Sequence, residues 1–276
     1  MSDRLAARFA ALAAERRAGL VTFLCGGDPS PDLTPALLDA LVAGGADLIE
    51  FGMPFTDPMA DGPSIQAGNL RALGAGVTLA RLIAIVADFR RRDSATPLVL
   101  MGYVNPVLAY GVERFARDAA AAGLDGVILV DLPPEEADEV APALKAAGLH
   151  LIRLATPTTD EARLPAVLEG ASGFLYHVAV AGITGQKSAA DATIAAAVRR
   201  LKAATDLPVA VGFGVRTPEQ AAAVAAHADA VVVGSAIVDL VGAAHARQSN
   251  DIPGEVRAFV AELAEAVRAA RRKEAA

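Results

Sequence analysis

The sequence has a single cysteine, Cys25, and no tryptophan. One thiol excludes an intramolecular disulfide, so packing must hold the fold, and a reducing, cytoplasmic setting is expected. Aromatic residues make up only 4% of the chain, against 54% hydrophobic residues in all. The core is therefore expected to be built from Ala, Val, Leu and Ile, with Ala favouring helix and packing small. No uninterrupted apolar run reaches the roughly 18 residues of a membrane span. The opening stretch MSDRLAARFAALAAERRAG is amphipathic and lacks the apolar core and cleavage site of a secretory signal. A basic surplus is missing too. The formal charge is −7, which disfavours nucleic acid as a partner. An anionic substrate must then be held by local dipoles or a few cations, not by the overall field.

What is present is an alternation. Eight β-rich runs, at 20–25, 47–52, 97–102, 126–131, 150–155, 173–179, 208–214 and 230–235, are separated by Ala-rich helical stretches. Most runs are apolar without alternation, as strands covered on both faces are. The helical stretches often begin at Ser, Thr, Asp or Pro and end at Gly. Eight such units predict a (β/α)8 barrel occupying residues 1–276 as one domain. An N-terminal helix is expected over 1–18 and a frayed tail over 271–276. An open doubly wound sheet is the competing architecture, but no GxGxxG follows the first strand. The units beginning at strands 2 and 6 are longer than the rest, and they carry the unusual segments GMPFTDPMADGP and AVAGITGQKSAAD. Extra length in a barrel enzyme collects in loops at the C-terminal face, where chemistry occurs.

Glu50 lies near the end of strand 2 among apolar residues. Desolvation there favours the neutral acid and raises its pKa, which suits proton transfer near neutrality. The same residue could instead be a structural Glu bonded to a neighbouring strand. Asp61 stands in ADGP, where an aspartate commonly fixes a turn through its own backbone; it is either a turn former or a second catalytic acid. Pro54, Asp57 and Met59 form a stiff, partly apolar knob suited to docking. Gly214 after strand 7, and Gly234 with Ser235 after strand 8, match a frequent phosphate site of this fold, where backbone N–H groups and a helix N-terminus meet the anion. Gly185 could close that site from the loop after strand 6. His177 and Asp131 fall at strand ends but make too small a set for a metal.

In combination, IEFGMPFTDPMADGPSIQ, LMGYVNPVLAYG, VDLPPEE, YHVAVAGITG and VGFGVRTPEQ followed by VVVGSAIV resemble the tryptophan synthase alpha subunit family. These segments run in the family's order over most of the chain. The resemblance implies retro-aldol cleavage of indole-3-glycerol phosphate to indole and glyceraldehyde 3-phosphate. Indole would pass to a β subunit that holds pyridoxal phosphate, in an α2β2 heterotetramer, and no cofactor is implied for this chain. It further implies Glu50 and Asp61 as catalytic carboxylates, with Tyr176 assisting. It places Phe23 and Tyr103 at the indole site, Thr184 in the loop after strand 6, and Gly185, Gly214, Gly234 and Ser235 on the phosphate; Leu100 is expected to join Phe23 and Tyr103 in walling the flat ring. Cys25, Gly26, Ala179 and Ala181 depart from the family's usual residues. Two other readings stand beside this one. A different phosphosugar barrel would want a lysine or a metal at the strand ends, and a noncatalytic effector would have no need of both Glu50 and Asp61.

Overall fold

The computed structural model describes residues 3–179, 187–212 and 214–270, the side chains of 187–191 excepted. The described residues form eight strands: β1 (Gly19–Cys25), β2 (Leu48–Gly52), β3 (Leu98–Gly102), β4 (Gly126–Leu129), β5 (His150–Ala155), β6 (Leu175–Val178), β7 (Val209–Gly212) and β8 (Ala230–Val233). Each pairs in parallel with its neighbours in sequence, and β8 pairs with β1 to close the barrel. Seven fall inside the runs expected from sequence, and β1 begins one residue before its run, at Gly19.

The helices are α1 (Arg4–Ala14), α2 (Thr34–Gly44), α3 (Pro63–Gly74), α4 (Leu79–Arg92), α5 (Val104–Tyr110), α6 (Val112–Ala122), α7 (Ala141–Ala146), α8 (Leu164–Leu168), α9 (Lys187–Lys202), α10 (Pro218–Ala225), α11 (Ser235–Ala246) and α12 (Ile252–Ala270). Among the differences from the sequence expectation, α5 was not foreseen as a helix, and three others have a plain physical cause. The N-terminal helix stops at Ala14, not at 18, because Arg16 takes a left-handed φ of 53° and turns the chain into β1. Much of the extra length after β2 is not loop but α3. Its buried face is Gly68, Asn69 and Ala72, so it carries no apolar stripe for periodicity to reveal. The helix expected after β4 is a 3-10 turn at Pro134–Glu139 followed by the short α7, with Pro142 in its first turn; a proline there cannot carry a helix across it. The expected tail at 271–276 lies outside the described residues.

Two hydrophobic layers result. Side chains such as Val21, Leu48, Val99, Ile128 and Ile152 point into the barrel. Their sequence neighbours, Leu20, Ile49, Leu98, Val127 and Leu151, point out against the helices. Leu5, Phe9 and Leu12 of α1 close the floor of the barrel, with the Phe9 ring 5.8 Å from that of Phe174.

The floor also repeats a polar device. Asp47, Asp125, Ser172 and Asp229 each precede an even-numbered strand. Each accepts, through its side chain, the N–H of a residue on the preceding odd strand: Leu20 (2.9 Å), Leu98 (2.8 Å), Leu151 (3.2 Å) and Val209 (2.9 Å). Asp125 also binds Arg4 (2.7 Å) and Arg90 (2.6 Å), tying α1 and α4 to β3. Hydrogen bonds to a charged group contribute about 1.5–3 kcal/mol each. These bonds brace the N-terminal face, opposite the strand ends where barrel chemistry is placed.

Candidate active site

At the C-terminal face a cavity of about 350 Å³ opens between the strand ends. Glu50 enters it from β2. The residue is 1% exposed, and among the described residues its Oε1 has no hydrogen-bond partner. Burial alone pushes its pKa from the ordinary 4.5 up to about 8. The bonded structural glutamate weighed from sequence does not fit an oxygen without a partner. Tyr176 enters from β6. Its ring has room because Gly212 lies beside it: a Cβ there would stand 2.3 Å from the Tyr176 Oη. Burial, and then the charge of Glu50, push the phenol well above its usual range.

Asp61 reaches the same cavity from the segment between β2 and α3. Its carboxylate is not spent on its own turn. Asn69 Nδ2, from α3, donates to Oδ2 at 3.0 Å. The Tyr103 hydroxyl, which accepts the Ala60 N–H at 3.0 Å, also lies against it. Burial raises the Asp61 pKa above the ordinary 3.8, while the bonds from Asn69 and Tyr103 pull it back down.

Phe23, Ile65, Met101, Val130 and Leu154 make apolar walls. The Phe23 ring lies over Gly52, where a Cβ would stand 2.5 Å from its Cζ. Gly214, Gly234 and Ser235 line the cavity as well. Ser235 opens α11, so that helix presents its first, unpaired N–H groups there. Gly214 has a φ of +86°, a conformation that suits glycine.

The structure thus brings Glu50, Asp61, Tyr176, Phe23, Gly214, Gly234 and Ser235 to one cavity. Leu100 is a correction. It packs outward in the helix layer, and its neighbour Met101 lines the cavity instead. Successive residues of a strand face opposite sides, and β3 presents Val99 and Met101 inward. Tyr103 does not line the main cavity. It borders a smaller adjoining pocket and braces the segment carrying Asp61. Thr184 and Gly185 lie outside the described residues. Asp131 accepts the Val104 N–H at 2.8 Å and caps α5, while His177 is buried with Nδ1 3.2 Å from the Ala155 carbonyl oxygen. Among the described residues no three His, Cys, Asp or Glu side chains converge as a metal set. Sequence reasoning missed Asn69, Ile65, Met101, Val130 and Leu154. The strand residues among these follow from Glu50 once register is known, but Asn69 carried no signal.

The model of the tryptophan synthase alpha chain family matches residues 9–268. The chain belongs to this family. The tryptophan synthase alpha chain of Rhizorhabdus wittichii is 64% identical over 273 residues, covering 99% of each chain. That of Novosphingobium aromaticivorans is 62% identical, covering 94% of this chain and 96% of its own. Among solved structures, a tryptophan synthase alpha chain from Legionella pneumophila superposes with a TM-score of 0.89 at 38% identity, covering 98% of both chains. A tryptophan synthase from M. tuberculosis gives 0.85 at 38% identity, covering 97% of this chain and all of that one. The barrel is therefore that of the tryptophan synthase alpha chain family, and the cavity occupies its catalytic face.

Proposed function

We propose that this chain cleaves indole-3-glycerol phosphate to indole and glyceraldehyde 3-phosphate, as a carbon–carbon lyase of tryptophan biosynthesis. The observation that carries the assignment of roles is the pairing of two unlike carboxylates on one apolar cavity. Glu50 is buried with its Oε1 unpartnered among the described residues, and Asp61 is held by Asn69 beside the Tyr103 hydroxyl. Burial holds Glu50 as the carboxylic acid, able to deliver a proton to indole C3. Protonation puts positive charge on the ring nitrogen, and Asp61 accepts that N–H and stabilises the charge. The Glu50 carboxylate then takes the proton of the adjacent side-chain hydroxyl. The O–H electron pair becomes the aldehyde C=O bond. The pair of the breaking C–C bond returns to the ring, which neutralises the nitrogen. Tyr176 presents its phenol beside Glu50, and the Phe23 and Met101 walls accept the flat ring. Gly214, Gly234 and Ser235 supply N–H and O–H donors to the phosphate. No step calls on a metal or an organic cofactor. A reducing cytoplasm suits the chain, since it keeps Cys25 a thiol.

Indole release measured against pH tests these roles. Asp61 must be ionised and Glu50 protonated. The rate should rise as Asp61 ionises above its ordinary 3.8 and hold a plateau. Above about pH 8 it should fall tenfold per pH unit as Glu50 loses its proton. A plateau extending to about pH 10 would remove Glu50 as the acid.

A β subunit carrying pyridoxal phosphate is the partner we propose, in an α2β2 assembly, docked on Pro54, Asp57, Met59 and Leu108. Support comes from exposure: Met59 is 80% and Leu108 44% exposed, unusual for large apolar side chains near an active site. The two loops adjoin, since Phe55 packs on Tyr103 with centroids 5.4 Å apart just before α5 begins. Asp57→Ala and Met59→Glu should weaken β-subunit binding about tenfold or more while leaving the isolated lyase rate nearly unchanged. Equal losses in binding titration and in lyase assay would refute the docking face.

A further inference from the structure

Cys25 takes no part in the mechanism above, yet its side chain reaches toward it. It ends β1, is fully buried and lies outside the cavity wall. Its Sγ donates to Asn69 Oδ1 at 3.2 Å, and Asn69 Nδ2 in turn donates to Asp61 Oδ2 at 3.0 Å. We propose that Cys25 is a positioning residue for this reaction, acting on the Asp61 carboxylate through the amide of Asn69.

The reasoning is a matter of which end of an amide faces which neighbour. Asn69 is 4% exposed, so its donor and acceptor ends must each be matched inside the protein. Asp61, when ionised, only accepts. It is satisfied by Nδ2 and repelled by Oδ1. A donor at position 25 captures Oδ1 and leaves Nδ2 facing Asp61. The thiol suits this task because it keeps its proton: burial, and then the charges of Asp28 and Asp61, push its pKa well above the usual value. The frame around the relay is stiff. Arg71, two residues after Asn69 on the same helix, makes two bonds to the carboxylate of Asp28, at 2.7 and 2.8 Å. Asp28 is buried, three residues beyond Cys25. The end of β1 and the turn after it thus hold α3 at two places, and α3 holds Asp61 from one side while Tyr103 holds it from another. The carboxylate is oriented before substrate arrives, so little of its charge-stabilising effect goes into reorganisation.

The proposal rests on the lyase reading, so its test is a set of kcat and KM measurements of indole release by the full chain. Asn69→Ala should lower kcat by about 10- to 100-fold with KM changed less than about threefold. Cys25→Ala should lower kcat by a smaller factor of about 3 to 10, and Cys25→Ser, which restores a donor, should recover most of it. The double variant Cys25→Ala/Asn69→Ala should be no worse than Asn69→Ala alone, because residues acting through one another are not additive. Additive losses, or a Cys25→Ser variant as impaired as Cys25→Ala, would overturn the relay. Should Asn69→Ala fail to fold, the Cys25→Ala and Cys25→Ser pair decides the matter alone. Absence of indole release from the wild-type chain would instead strike the lyase reading, and the relay with it.

Discussion

Glu50→Gln is expected to abolish indole release, lowering kcat about a thousandfold or more while the chain still binds substrate. The amide keeps the shape of the carboxyl group but cannot cycle a proton, and among the described residues no second titratable group in the cavity duplicates the role. Asp61 is committed to Asn69 and Tyr103, and the Tyr176 phenol is held well above its usual range. Retention of more than about a tenth of the wild-type rate would overturn the assignment. The same variant has a second expected effect, on stability. A glutamate whose folded pKa is raised from 4.5 to about 8 binds more protons folded than unfolded through that window. Stability therefore falls as pH rises from about 4.5 to about 8 and levels off above it. Wild type should show this decline in denaturant midpoints, and Glu50→Gln should lack Glu50's share of it. A variant as pH-sensitive as wild type would mean that the buried carboxyl is not the source of the slope.

Gly212→Ala should be nearly as damaging to catalysis, although Gly212 carries no functional group. Its Cβ would stand 2.3 Å from Tyr176 Oη, 2.8 Å from Val232 Cβ and 2.9 Å from Tyr176 Cζ. The clash is with two neighbouring strands, and the strand backbone cannot yield without breaking its pairing. The tyrosine must leave its place in the cavity. A displaced wall and a misplaced phenol should cost about 100-fold in kcat/KM, with about 1–3 kcal/mol of stability lost to overpacking. Adding Tyr176→Phe removes the nearest contact but leaves the one at 2.9 Å, so it should restore stability only in part. A Gly212→Ala enzyme with normal kcat/KM would show that the Tyr176 position is unimportant to the reaction.

These two residues illustrate different kinds of legibility. Glu50 could be read from the chain because a carboxylate inside an apolar strand run is conspicuous, and strand ends are where a barrel keeps its chemistry. Gly212 was visible only as part of the GFG that follows strand 7, a segment read for phosphate and not for Tyr176. Its importance comes from Tyr176, which is 36 positions away in sequence and one strand away in space.

The eight strands, their order and the catalytic face were determined by sequence alone, because apolar runs, turn residues and helix caps act locally and repeat with the unit. So were Glu50, Asp61, Gly214, Gly234 and Ser235 as candidates, since each sits at a strand end or in the segment just beyond one. Tertiary structure decided which face each side chain takes, and that is where Leu100 gave way to Met101. A strand buried on both sides has no polar alternation to reveal its inward face; register with its neighbours sets it. Tertiary structure also decided that α3 is a helix and that Cys25, Asn69 and Asp61 touch. Those contacts join β1 to a helix 44 positions later, and only the packing of α3 against the end of β1 brings them within a hydrogen bond.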